Sequence, residues 1–376
     1  MPASPRLVRW EAQPHTLAKI QILKTYLHAW FQIMGRSQRR KDLLYIDGFA
    51  GPGSYINAEE GSPLAALAAL REVKRSAGKN WRAGKVHVAL IEENKDRFAA
   101  LVDAVRADTD AHDVVVHLID SAFEEAMSQL RERVPEFFRT SLPLFAFLDP
   151  FGVKGFRFET VRQLLGSRTS EILLNFDADG VARVLRAGSS AAHEQILSDV
   201  YGSDIWKGRL SGSAPTPMLV RDCMALYRER LMQLPGVQYV FPFEMRTHRD
   251  SINYFLIFAS QHYLGLEKMK DAMRSVDCSG AYRFCDATHN QVELFRFDDV
   301  ASYADLLYAR YKGKDIQPSD VRDTVLLETP FSTPNSLLKE LEVSGRLRVR
   351  SRNPARRRGT FKTEDTISLS FIEGEP

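Results

Sequence analysis

The stretch "LLYIDGFAGPGSY", residues 43–55, runs from four apolar, strand-forming residues into an acid and then into Gly51 and Gly53 on either side of Pro52. Glycine lets a backbone approach a ligand closely because no Cβ stands in the way. A phosphate-binding loop would need a lysine after the second glycine, and none follows Gly53. A dinucleotide fingerprint would need a third glycine where Ile56 stands. It would also need a ribose-binding acid about 20 residues on, and Glu92 lies roughly twice as far. Both phosphate readings fail.

Working outward, four more apolar runs follow: "VHVALI" (86–91), "VVVHLI" (114–119), "LFAFL" (144–148) and "EILLNF" (171–176). Helical patterns separate them, including "SPLAALAALREVKRS", where Ser62 is expected to cap and Pro63 to sit in the first turn. Alternation of this kind predicts an α/β fold, a doubly wound Rossmann-like sheet of mostly parallel strands covered on both faces. Ahead of it, residues 14–34 place Leu17, Ile20, Leu23, Leu27, Trp30, Phe31 and Met34 at helical spacing. Behind it comes a helical insertion over about 180–235. Then "VQYVFPFEM" and "NYFLIFAS" predict a hairpin and an antiparallel edge strand.

Three acids end the first three strands: Asp47, Glu92 in "LIEEN" and Asp120 in "LIDSAF". Open α/β sheets bind ligands in the crevice outside the carboxyl ends of their strands, so these acids share one crevice. The arrangement resembles class I S-adenosylmethionine-dependent methyltransferases. That resemblance implies a cofactor turn of Asp47, Gly48, Phe49, Gly51 and Gly53, with Asp47 near the methionine ammonium. Glu92 then accepts from the ribose hydroxyls and Asp120 from the adenine amine. The competing account makes strand-end acids helix caps, with Asp120 and Ser121 the best case.

The fourth run ends in Asp149, Pro150, Phe151 and Gly152. The tetrapeptide is similar to the [DNS]PP[YF] motif of exocyclic-amine methyltransferases and closer still to the DPFG of tRNA guanosine N2-dimethyltransferases. An aromatic amine is a poor nucleophile because its lone pair is delocalised into the ring. Accepting its protons at the Asp149 carboxylate and the Pro150 carbonyl favours the pyramidal, attacking form, and proline's fixed φ holds that carbonyl in place. Phe151 is placed to stack on a splayed base. Relative to [DNS]PP[YF], Phe151 replaces the second proline and Gly152 the aromatic, so stacking is less secure than amine activation. A plain tight turn is the alternative.

Nearly the whole chain, from about residue 10, resembles the bacterial three-Cys-motif partner (TcmP) proteins. The carrying pieces are "YIDGFAGPG", "LIEEN", "LDPFG", "YFLIFASQHYLGLEKMKDAM", "ETPFSTPNSLLKELEVSGRL" and "RRRGTF". The resemblance implies a separate partner bearing a three-cysteine, radical-type iron–sulfur motif. It leaves two functions open: a methyltransferase acting on an exocyclic amine of a nucleic-acid base, or a methyltransferase-fold partner module without turnover.

From Phe297 the pattern becomes three helices and a hairpin, so the domains are expected at 1–296, methyltransferase-like, and 297–376, a winged helix. Between Arg346 and Lys362 stand eight basic residues and no acid. Arg346, Arg348, Arg350 and Arg352 alternate along a strand, and Arg356, Arg357 and Arg358 fall near the hairpin tip. With Lys362 they form the expected phosphate-binding surface, for RNA or DNA. A solvated basic face or an acidic protein partner would use the same charges.

Composition is ordinary: 376 residues, 44% hydrophobic, 26% charged, net charge +3. No apolar run nears a membrane span. The nine histidines and three cysteines show no metal-binding spacing, so no metal is expected. Unpaired cysteines fit a reducing cytoplasm.

Overall fold

The interior strands are mostly apolar along their length because both of their faces are covered. β1 (Leu43–Asp47), β2 (Val86–Glu92), β4 (Leu144–Leu148) and β5 (Ser170–Phe176) are buried almost throughout, whereas β3 (Val114–Asp120), at the sheet edge, is only half-buried. β6 (Tyr239–Arg246), β7 (Ile252–Ser260) and β8 (Arg283–Cys285) complete one sheet in the order β3-β2-β1-β4-β5-β7-β6-β8. β7 alone runs antiparallel, towards the β8 end. The computed structural model behind this description covers residues 8–108, 114–139, 141–167, 169–188, 190–277, 279–287, 299–361 and 367–372.

The first helices of this unit are α1 (Pro14–Ser37), α2 (Ser62–Ala77), α3 (Lys95–Asp108), α4 (Phe123–Arg133), α5 (Glu136–Arg139) and α6 (Phe158–Leu164). The expected insertion is α7 (Ala178–Arg186), α8 (Ala191–Tyr201) and α9 (Thr216–Met232), followed after β7 by α10 (Tyr263–Arg274). On one face, α4 and α6 to α9 pack on Leu44, Ile46, Ala146, Leu148, Ile172 and Leu174. On the other, α1 lies between α2 and α10 and packs the tilted rings of Tyr26 and Trp30 against Phe145. The buried stripe of α1 differs from simple spacing. Leu17 is 40% exposed, and Lys19 is buried beside Ile22, Leu23, Tyr26 and Trp30.

Ser62 does not cap α2. It lies inside the helix, and Gly61 holds the cap position, donating its N–H to the Gly53 carbonyl at 2.8 Å. A Cβ at Gly61 would stand 2.7 Å from that oxygen, so this cap has to be glycine.

A second compact unit comprises residues 277–282 and 292–376. It contains α11 (Val300–Tyr311), β9 (Asp315–Ile316), α12 (Pro318–Glu328), α13 (Asn335–Val343), β10 (Leu347–Ser351) and β11 (Ile367–Phe371). The strands pair antiparallel in the order β10-β11-β9. Its core is Leu307, Val321, Val325, Leu337, Leu341, Leu369 and Phe371. Among the described residues no helix is long and apolar enough to cross a membrane.

Candidate active site

The strand order β3-β2-β1-β4-β5 reverses direction between β1 and β4, so the switch-point crevice lies between their carboxyl ends. Asp47 closes β1 there, in register with Phe147 of β4 and Leu90 of β2, and Asp149 follows β4 directly. Glu92 and Asp120 are themselves paired in register at the ends of β2 and β3.

Asp47 is fully buried. Its Oδ1 accepts the Phe49 N–H at 3.3 Å, while Oδ2 has no hydrogen-bond partner among the described residues. The Tyr45 hydroxyl is near enough to feel its charge without hydrogen-bonding it, and the Ser62 hydroxyl lies close enough to favour its ionised form. Burial, reinforced by the charges of Asp149 and Glu92, pushes its carboxyl up to about 7. Ser62 and the Phe49 N–H oppose that shift. Gly51 and Gly53 both have positive φ, 63° and 84°, and a Cβ on Gly51 would point into open space. Gly48 serves packing instead, because a Cβ there would meet Leu148 and Phe123 at 2.7 and 2.8 Å. Phe49 stacks on Phe123.

Glu92 ties the turn to β2. Its Oε2 accepts the Gly51 N–H at 3.0 Å and its Oε1 the Asn94 N–H at 2.8 Å. Burial raises its carboxyl against those two donors. Each carboxylate oxygen has a second lone pair beyond these bonds. Asp120 is exposed, and α4 is capped at Ala122 without any side-chain bond, so Asp120 is no helix cap. Capping is instead the role of Asp177, whose Oδ1 accepts the Gly180 N–H at 2.7 Å.

Asp149 is held from both sides. Lys19 Nζ of α1 donates to its Oδ2 at 2.5 Å, and Asn175 Nδ2 of β5 donates to its Oδ1 at 2.7 Å. Lys19 also lies 5.1 Å over the Tyr254 ring. The Pro150 carbonyl accepts the Gly152 N–H at 3.2 Å, the inner bond of a tight turn whose Gly152 has φ 88°. Gly155 folds back so close that a Cβ there would sit 1.9 Å from Pro150 Cβ. Phe151 is 74% exposed. Arg97 lies 5.3 Å over its ring and 4.8 Å over that of Trp10, and Trp10 meets Tyr55 edge-on. Beside Pro150 and Asn175 the cavity is only about 20 Å³, room for a water and not for a base.

Sequence reasoning missed Lys19, Asn175, Trp10, Arg97, Tyr55 and Tyr254. Lys19 carried one usable signal, a charged residue seven positions before Tyr26 and four before Leu23 on the core stripe. The others carried none.

In the second unit the arginines divide. Arg348 and Arg350 project from the exposed face of β10, and Arg352 and Arg357 are exposed beside it. Arg356 is a correction to the expected phosphate surface. It makes a bidentate pair with Glu342 at 2.8 and 2.9 Å, both side chains 9% exposed, and has no donor face left for phosphate. Arg358 donates to the Glu342 carbonyl and Arg346 pairs with Asp305. Lys362 lies outside the described residues. Among those residues no cluster of His, Cys, Asp and Glu suits a metal.

No family profile matches the chain, and no curated protein is significantly similar to it. Several solved structures are remotely similar. Trm1 from Pyrococcus horikoshii, solved with S-adenosyl-L-methionine, is 13% identical over 73% of this chain and 61% of its own, with a TM-score of 0.38. The Bacillus cereus O-methyltransferase in complex with SAH is 12% identical over 66% of this chain and 92% of its own, at 0.34. SAH-bound PaMTH1 from Podospora anserina is 16% identical over 62% and 76%, at 0.29. The chain thus spans less than two thirds of the Trm1 chain.

Proposed function

We propose that this chain is an S-adenosylmethionine-dependent methyltransferase acting on an exocyclic amine of a nucleic-acid base. One observation carries the reading: Asp149 stands beside the glycine turn at the switch point, fixed between Lys19 and Asn175. The crevice fits the cofactor on its own terms. A buried acid with an orphaned oxygen, Asp47, suits an ammonium, and the open space at Gly51 admits a ligand backbone-close. Glu92 and Asp120 are the remaining holders, for ribose and adenine. Bound there, S-adenosylmethionine supplies an electrophilic methyl group on a sulfonium. Asp149 accepts an N–H of the substrate amine, localises its lone pair, and takes the proton released as the C–N bond forms and the C–S bond breaks. Phe151 offers its exposed ring to the base.

The second unit is read as a winged helix, with Arg348, Arg350, Arg352 and Arg357 as its phosphate contacts. A cytoplasmic location accompanies this reading. The competing reading, a partner module of a three-Cys-motif protein without turnover, is favoured by the Lys19 ion pair and by the lack of a base-sized cavity at Pro150. Calorimetry with S-adenosylmethionine, then tritiated methyl transfer to pooled cellular RNA and DNA with and without that partner, separates them. Micromolar binding with transfer supports the enzyme. Binding without transfer supports the module, and no heat or thermal shift at millimolar cofactor sinks the enzyme reading.

A further inference from the structure

A cavity of about 370 Å³ opens at the opposite end of β5, between α1, α10 and the end of β7. Its size is that of a small-ligand site. Tyr26, Trp30, Ile33, Met34 and Leu264 supply apolar walls around Glu171. Glu171 is a buried carboxylate, paired in register with Ser260 and packed among aromatic side chains, an expensive placement unless it is hydrogen-bonded or used. Tyr26 Oη donates to its Oε2 at 2.7 Å and Ser260 Oγ to its Oε1 at 2.8 Å. Gly265 is required beside it, since a Cβ there would come 2.0 Å from Oε1. Trp30, only 2% exposed, brings its indole N–H near the same carboxylate without hydrogen-bonding geometry, so that donor is buried and unpartnered.

The lining therefore asks for particular chemistry. Each Glu171 oxygen still has a lone pair to offer a donor, and Trp30 Nε1 needs an acceptor. Anionic ligands are disfavoured. Glu171 repels them, and Lys268 at the rim is already paired with Glu267 and Asp271. We infer that the cavity between α1 and α10 is a binding site for a small, flat, amino-substituted nitrogen heterocycle, its amine donating to Glu171 and its ring nitrogen accepting from Trp30.

The pocket is also wired to Asp149. Tyr26 and Lys19 lie on one stripe of α1, about 10 Å apart by helical rise. Glu171 and Asn175 share one face of β5, about 13 Å apart by strand rise. The two elements that hold Asp149 thus both line the cavity, so an occupant that shifts α1 against β5 acts on the Asp149 clamp.

The test is calorimetry and ligand-observed NMR on the full chain with 2-aminopyrimidine, against pyrimidine, which has only the acceptor, and aniline, which has only the donor. The expected result is saturable binding in the sub-millimolar range for 2-aminopyrimidine, the efficiency expected of so small a ligand. Each one-sided analogue should bind at least about tenfold more weakly, as loss of one buried hydrogen bond implies. Glu171→Leu should abolish the preference over pyrimidine and Trp30→Phe the preference over aniline, and Glu92→Ala, at the glycine turn, should leave both intact. Should Glu171→Leu fail to fold, Ile33→Trp, which enlarges a wall residue of the cavity and leaves the carboxylate in place, must remove binding instead. No saturable binding by the folded wild-type chain, equal binding of all three probes by that chain, a preference that survives in the Glu171 and Trp30 variants, or binding that survives in Ile33→Trp overturns the proposal. Because the readout is binding at Glu171, it is independent of whether methyl transfer occurs.

Discussion

The crevice at the ends of β1 to β4 and the arginine-bearing hairpin of the second unit both gather charge, and they treat it in opposite ways. In the crevice the charge is buried and under-compensated: Asp47 keeps an orphaned oxygen, and burial raises both Asp47 and Glu92. In the hairpin three of the seven described arginines are already spent inside the unit, on Glu342, its carbonyl and Asp305. Under-compensated buried charge points to a ligand, whereas exposed charge points to one only after the internal partners are subtracted.

The largest expected effect tests the crevice side. Asp149→Ala should lower methyl transfer about 10²–10³-fold, as loss of a positioned transition-state contact does, with cofactor affinity nearly unchanged. The contact strengthens as the amine pyramidalises, so the loss falls on the chemical step. A melting curve accompanies the assay. Undiminished transfer by a well-folded variant would remove Asp149 from the chemistry and level the comparison.

On the hairpin side, Arg356→Ala should destabilise the second unit by about 3 kcal/mol, because it strands Glu342 in a partly closed site. Desolvation opposes the Glu342 charge, but Arg356 and the Gly359 N–H outweigh it and hold the carboxyl below its usual range. Hydrogen exchange on the full chain reads the loss locally. A change below about 0.5 kcal/mol would place Arg356 among ordinary surface residues.

The central sheet was legible because fully covered parallel strands leave continuous apolar runs, and every strand from β1 to β7 carries one. β8 and β9, three and two residues long, had no such signature and exist only through pairing with β6 and β11. The crevice acids were legible from their places at strand ends. Their partners were not, because Lys19 sits seventy amino acids or more away from any motif it serves except the turn, and Asn175 reads as one polar interruption of an apolar strand. Nothing in "RRRGTF" distinguishes Arg356 from Arg357. Only the position of Glu342 on α13 does.

A smaller effect comes from the proton on Asp47. Its folded carboxyl, near 7, lies above the unfolded value, so the folded chain binds the extra proton. The stability this group contributes is therefore present below about pH 4 and is lost as pH rises through about 7. An ammonium ligand needs the ionised form, so cofactor binding should behave oppositely. Affinity should rise from pH 5.5 to 8, by up to about tenfold per unit below the titration point. Calorimetry across that range checks it, with Asp47→Asn as the variant that flattens the profile. A flat wild-type profile would mean that the ammonium sits elsewhere.

The finest distinction separates two adjacent arginines. Arg357 is exposed and next to the clamped Arg356, and unlike its neighbour its guanidinium has no partner among the described residues. Arg357→Ala should leave stability within about 0.5 kcal/mol, as substitutions at open surface positions do. It should weaken binding of the chain to both RNA and DNA without altering sequence preference, because phosphate contacts position and do not specify. Losing one such contact should reduce the log–log salt slope by about 0.7 for a single strand or about 0.9 for a duplex. Fluorescence anisotropy at four or more salt concentrations resolves a change of that size. An unchanged slope, with affinity unaltered, would assign the exposed arginines to a protein partner's acidic surface and leave the crevice as the one ligand-seeking charge of the pair.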